Sequence, residues 1–207
     1  MGLSLETNPL REGQSSARTA APCTMVIFGA SGDLTQRMLI PSLFALAEQR
    51  LVPPEFSVLG MSRRPLSDGD FRERVRPSDC NSTNWSSFSR GLFYMSGNHH
   101  EVDAYRQLTA RLAEIDQDRG TQGNRLFYLA VAPDDFPIIL GHLSAAGLLN
   151  PPDYADPEEN WVRIILEKPF GVDLASAVKL NKEIHRLVPE SQIYRIDHYL
   201  GKETVQN

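Results

Sequence analysis

Six short apolar runs punctuate the chain: TMVIFG (24–29), FSVLGMS (56–62), LFYMSG (92–97), RLFYLAVA (125–132), VRIILEK (162–168) and QIYRID (192–197). Several are apolar throughout instead of alternating, as strands covered on both faces must be. Between them stand segments with helical spacing. Residues 34–49 carry Leu39, Leu43, Leu46 and Ala47, and residues 102–115 carry Tyr105, Leu108, Leu112 and Ile115; 134–148 and 173–187 follow the same pattern. Strand–helix alternation predicts an α/β chain with a doubly wound parallel sheet, helices on both faces and right-handed crossovers. The polar stretch 76–91 reads as a loop with one helical turn, and the Pro-rich, acidic 150–160 as a surface loop.

The 207 residues suit one domain of ordinary size. A net charge of −5 argues against a nucleic-acid partner, since a reader of the phosphate backbone is usually basic. No run approaches the roughly 18 apolar residues of a membrane span. Cys23 and Cys80 lie far apart in no metal-like spacing, which suits unpaired thiols in a reducing, cytoplasmic compartment. His99, His100, His142 and His185 show no metal spacing either, and no metal is expected. The N-terminal stretch has no secretory apolar run, and Glu6 stands where myristoylation after Met1-Gly2 would want Ser or Thr. Residues 1–22 are expected to be a mobile extension.

The first strand runs straight into GASGDL, that is Gly29, Ala30, Ser31, Gly32, Asp33 and Leu34. Amides at a glycine turn before a helix can hold a pyrophosphate. Gly29 permits the turn, Gly32 lets the backbone approach the phosphates, and Asp33 is suited to cap the helix. The usual third glycine position holds Thr35, which leaves less room between helix and sheet. The second strand ends in Ser62, Arg63 and Arg64, with no acid before Asp68. Dinucleotide folds that bind NAD commonly place an acid there for the ribose hydroxyls, whereas arginine donors suit the extra phosphate of NADP. A solvated basic turn is the plainer alternative.

Lys168 closes the fifth strand, at the end of an open sheet where ligands bind; a cis bond to Pro169 would aim it into the cleft. It reads equally as a surface lysine before a turn proline. The last cluster, RIDHYLGKE (195–203), sets His198 and Lys202 four apart. On a helix they would share a face beside its positive end, a good phosphate site, with Tyr199 adding a hydroxyl and Asp197 placed to orient His198 or to bind a sugar hydroxyl. A solvated helix start is the alternative.

GASGDL, EKPFG and RIDHYLGKE, in this order and at these separations, closely resemble the glucose-6-phosphate dehydrogenase family from about residue 24 to residue 207. The resemblance implies a Rossmann-like coenzyme domain and an NADP-linked oxidation of D-glucose 6-phosphate to 6-phospho-D-glucono-1,5-lactone, the first step of the pentose phosphate pathway. It implies that Gly29, Ala30, Ser31, Gly32, Asp33 and Leu34 form the coenzyme turn. Arg63 then meets the adenosine 2′-phosphate, flanked by Ser62 and Arg64. Lys168 lies between coenzyme and substrate, and His198, Tyr199 and Lys202 bind substrate, His198 and Lys202 near its phosphate. The family's catalytic histidine belongs to a further domain, an antiparallel sheet with helices that also carries the oligomer surface. No catalytic base is therefore recognised among these residues; His198 is not that base, and Asp197 is at most a support. The resulting expectation is an NADP-binding domain at 23–200 and the start of a second domain at 201–207. Such a chain would bind NADP, turn over little sugar phosphate alone and expose apolar surface at its C-terminal edge. The full-length enzyme would be a homo-oligomer. Two other readings stand beside this one: a non-catalytic NADP-binding module, and a sugar oxidoreductase of the glucose–fructose oxidoreductase-like family, which shares the EKP motif.

Overall fold

The protein is described from a computed structural model that covers residues 20–149 and 160–196. The strands are β1 (Thr24–Phe28), β2 (Ser57–Ser62), β3 (Leu92–Ser96), β4 (Arg125–Leu129), β5 (Val162–Glu167) and β6 (Ile193–Ile196). All neighbouring pairs are parallel, in the order β3-β2-β1-β4-β5-β6. The helices are α1 (Ile40–Glu48), α2 (Asp68–Arg74), α3 (Ser82–Ser89), α4 (Val102–Arg119), α5 (Phe136–Ala145) and α6 (Leu174–His185).

Every residue of β1 is buried, and alternate side chains serve opposite layers. Val26 and Phe28 join Tyr105, Leu108 and Leu112 of α4, Ile139 and Leu140 of α5 and Ile184 of α6. Met25 and Ile27 join Ile40 and Phe44 of α1, Phe71 of α2 and Trp85 of α3. Burying each such side chain is worth about 1.5–3 kcal/mol. This two-sided cover explains the continuous apolar runs: the doubly wound, Rossmann-like sheet with helices on both faces is as expected.

The stretch 76–91 is a correction. It holds α3, two turns of helix instead of one, and α2 precedes it. Asn81 caps α3, its Oδ1 accepting from the amides of Thr83 at 2.9 Å and Asn84 at 3.1 Å. Trp85 and Phe88, three apart among Ser and Asn, pack on Phe44 with ring centres 5.5 Å away in each case. The polar composition hid a two-residue apolar face. Helix α2 begins with a capping box, Ser67 and Asp70 each bonding the other's backbone amide.

Phe28 pairs with Met61 and with Leu129, Met61 with Met95, and Leu129 with Leu166. The strands therefore end level, placing Gly29, Ser62, Ser96, Ala130 and Glu167 along one edge. From β1 the chain winds outward to β2 and β3, then returns to add β4, β5 and β6 on the other side. The crevice at the carboxyl ends of β1 and β4 is thus the switch point where open α/β sheets bind ligands.

Both thiols, Cys23 and Cys80, are free. Among the described residues no helix is long and apolar enough to cross a membrane. Apolar side chains are exposed near the C-terminal edge: Val172 and Leu174 almost fully, Val178 and Tyr194 by nearly half. Of the expected extension at 1–22, residues 1–19 lie outside the described residues, and so do 150–159 and 197–207.

Candidate functional site

The glycine turn sits between β1 and the first helix. Gly29 has φ +83°, and a Cβ there would stand 2.3 Å from the carbonyl oxygen of Ala130. Only glycine fits, because the turn crosses directly over the start of the β4 loop. The amides of Gly29 and Ala30 both donate to Met61 O, at 3.0 and 3.1 Å, and the amide of Gly32 donates back to Gly29 O at 2.9 Å. A Cβ on Gly32 would meet only Gly29 O within 4 Å, so this side of the turn is open to a ligand. The chain is helical from Asp33 onward, and the first amides of a helix have no acceptor within it.

Asp33 does not cap that helix. Its side chain is 80% exposed and lies 3.8 Å from Arg37, one turn on. Asp33 already has helical backbone, whereas a capping residue must be extended for its carboxylate to reach back to the amides. Thr35, at the third glycine position, is fully buried against the sheet. The helix is widened there to a π turn, Thr35–Leu39, with the amide of Ile40 donating to Thr35 O. Leu34 is partly buried against the α1–α2 layer.

At the end of β2, Arg63 and Arg64 are exposed beside the turn. A hydroxyl network holds them there. Tyr94 donates to Arg64 O at 2.7 Å, Ser96 donates to the same oxygen at 3.1 Å, and Ser62 Oγ lies 2.7 Å from the Tyr94 hydroxyl. Ser62 also accepts from the Arg64 amide at 3.3 Å, so its hydroxyl is engaged within the loop. Asp68 is committed elsewhere: Oδ1 accepts from the Tyr94 amide at 2.7 Å and Oδ2 from Arg111 at 2.9 Å. Arg74 was not among the expected residues; its Nη2 lies 3.5 Å from Ser31 O of the glycine turn. Its signal was the S-x-x-D pattern at 67–70, which starts the helix that Arg74 ends.

Lys168 is exposed at the end of β5, and its bond to Pro169 is cis as expected. At the ends of β3 and β4 the fold gathers His99, His100 and Asp135, which their sequence spacing does not foretell. Burial is the largest influence on His99 and holds its imidazole below the usual range. Asp135 pulls it upward, while the charges of His100 and Arg63 push it further down. Asp197, His198, Tyr199 and Lys202 lie outside the described residues. Two hollows are lined by other residues. One of about 370 Å³ is lined by Phe170, Leu180 and Arg195, and one of about 800 Å³ by Phe44, Phe56 and Arg119.

Comparison with known proteins bears on this arrangement. A family model described as "Glucose-6-phosphate dehydrogenase, NAD binding domain" matches residues 26–207. "Glucose-6-phosphate 1-dehydrogenase 2" of Mycobacterium tuberculosis is 42% identical over 209 residues, spanning 97% of this chain and 40% of its own length. The glucose-6-phosphate 1-dehydrogenase of Chlamydia muridarum is 43% identical over 194 residues, spanning 90% of this chain and 38% of its own. A solved glucose-6-phosphate dehydrogenase in complex with its substrate glucose-6-phosphate superposes with a TM-score of 0.76 at 33% identity, covering 90% of this chain and 38% of that one. The chain therefore spans about 40% of the length of these relatives. With a glycine turn at the switch point of a six-stranded parallel sheet, and a family match running from β1 to residue 207, the chain belongs to the glucose-6-phosphate dehydrogenase family and carries its NAD binding domain.

Proposed function

We propose that this chain supplies the coenzyme side of an NADP-linked oxidation of D-glucose 6-phosphate to 6-phospho-D-glucono-1,5-lactone, the first step of the pentose phosphate pathway. The observation that carries this reading is the pairing of the open glycine turn with Arg63 at the end of β2, in a chain of this family. The turn at 29–34 faces the pyrophosphate through its backbone. Arg63 meets the 2′-phosphate, and Arg64 flanks it. Ser62 acts through Tyr94 by fixing the loop that presents Arg63. The engagement of Asp68 supports NADP over NAD, because no carboxylate between Ser62 and Asp68 is left for the ribose hydroxyls.

When bound, NADP accepts the hydride. Lys168, at the carboxyl end of β5, stands between coenzyme and sugar. His198 and Lys202 hold the sugar phosphate, Tyr199 adds a hydroxyl contact, and Asp197 orients His198. No residue of this chain is assigned as the base on the anomeric hydroxyl. The homo-oligomeric state and the cytoplasmic setting belong to the same reading; two free thiols suit a reducing compartment.

The test is a titration of NADP and NAD against the protein and its Arg63→Ala variant, with NADPH formation from glucose 6-phosphate followed in parallel. Selective weakening of NADP is expected. Equal losses for both coenzymes would remove Arg63 from the 2′-phosphate site, and equal binding of glucose and glucose 6-phosphate would remove the sugar phosphate.

A further inference from the structure

The clustering of His99, His100 and Asp135 has no part in the proposed reaction. The two histidines sit in a turn between β3 and α4, closed by the Glu101 amide donating to Asn98 O at 2.9 Å. The His100 amide donates to Asn98 Oδ1 at 3.2 Å, and the Tyr105 hydroxyl donates to His99 O at 2.8 Å. Both rings are thereby set from behind by the backbone, 4.5 Å apart between centres. Asp135 comes from the segment that opens α5. It occupies the capping position of that helix, yet its carboxylate makes no cap bond. The carboxylate turns to the imidazoles instead: Oδ2 is 3.3 Å from His99 Nε2 and Oδ1 is 3.1 Å from His100 Nε2. His99 Nε2 is buried and has no well-aligned hydrogen bond, even to Asp135.

We propose that His99 Nε2, His100 Nε2 and the Asp135 carboxylate form a binding site for a first-row divalent cation of the zinc type. One donor atom from each residue lies within 4.8 Å of the other two. A tetrahedral centre with bonds of about 2.1 Å holds its ligands about 3.4 Å apart, and each imidazole nitrogen stands close to that distance from one carboxylate oxygen, Oδ2 for His99 and Oδ1 for His100. Two imidazoles and one carboxylate suit zinc, cobalt or nickel better than magnesium or calcium, which want oxygen. Three protein ligands leave a fourth position for water or another oxygen ligand. The ion has a route in, since the His100 side chain is 48% exposed while those of His99 and Asp135 are 15% and 23% exposed. None of the three ligands is among the residues assigned to the coenzyme, although the charge of Arg63 reaches His99.

The experiment is a titration of the metal-stripped chain with Co²⁺, read by its visible absorption bands, followed by displacement with Zn²⁺ and equilibrium dialysis with Zn²⁺ alone. One equivalent is expected, with His100→Ala and Asp135→Asn each weakening binding at least about tenfold. His100 is half exposed and Asp135→Asn is isosteric, so far-ultraviolet circular dichroism of both variants should match the parent. No uptake by the parent chain would reduce the cluster to an ordinary His–Asp contact and overturn the proposal. Undiminished binding by both variants would place the ion elsewhere and overturn it equally.

Discussion

The two ends of the sheet are built on opposite principles. At the amino end, polar side chains are buried and bonded to one another. Asp116 accepts from both guanidinium nitrogens of Arg125, one at 2.8 Å, and also from Thr121. Thr24 donates to Thr121 at 3.2 Å, while Asn124 donates to Pro22 O at 2.8 Å and accepts from the Trp161 amide at 3.1 Å. At the carboxyl end, Gly32, Asp33, Arg63, Arg64 and Lys168 face solvent. The closed end uses its polar groups to join β1, β4 and β5 and the loop after α4. The open end leaves these side chains exposed, and its internal bonds shape the loops that carry Arg63 and Arg64. Substitutions should therefore separate: stability at one end, binding at the other.

The largest expected effect is at the closed end. Arg125→Met leaves the Asp116 carboxylate largely desolvated without its cation. Breaking a buried pair costs about 3–5 kcal/mol; with the Asp116 side chain 25% exposed, the low end of that range applies. Denaturant unfolding should report it, with coenzyme affinity unchanged in the folded fraction. A loss below about 1 kcal/mol would mean that the pair is no better than a surface bridge and that the contrast between the ends is false.

Arg63→Ala is the mirror experiment. It should weaken NADP by about ten- to hundredfold, equivalent to about 1.5–3 kcal/mol for a charge-assisted contact, while leaving NAD affinity and the unfolding midpoint alone. A shift in midpoint would show that the open end also carries the fold.

Gly29→Ala sharpens the boundary, because in the proposed reading this residue serves both. Its left-handed backbone and the nearness of Ala130 O predict a loss of about 1–3 kcal/mol, with coenzyme binding impaired in the folded fraction. Unaltered binding by a folded variant would detach the turn from the coenzyme.

A smaller effect concerns pH. Burial pushes the Asp116 carboxyl up, but hydrogen bonds from Arg125 and Thr121 and the Arg125 charge outweigh it, and the net position is below the usual range. Its contribution to stability is thus present above the unfolded pKa and lost as pH falls through the lower, folded one. Unfolding followed downward from about pH 4 should show this loss, and Arg125→Met should flatten it. The smallest effect is purely chemical. Burial pushes the Cys23 thiol up to about 11, with Arg163 and Arg125 offsetting part of the rise. A thiol reagent near pH 8 should label the half-buried Cys80 and spare Cys23 until the chain unfolds.

Much of this architecture is local in origin and was legible in the residues. The doubly buried strands announce themselves as unbroken apolar runs, and Gly29 stands where a strand must turn sharply into a helix. Arg63 is legible too, because the end of the second strand lies next to that turn in any sheet of this topology. Period and turn chemistry act over a few residues, so a sequence carries them openly. What the chain does with each polar side chain was decided only by tertiary contacts. Asp33 was a reasonable cap until its backbone proved already helical, and α3 was hidden until Phe44 supplied a surface for Trp85 and Phe88. That Asp68 pairs with the Tyr94 amide and with Arg111 is likewise set only by the fold. His99 and His100 gained a third donor from Asp135, on a different loop. Each outcome turns on a hydrogen-bond partner or packing surface contributed by another part of the chain, and the choice of partner is fixed by the close approach of elements that sequence spacing does not encode.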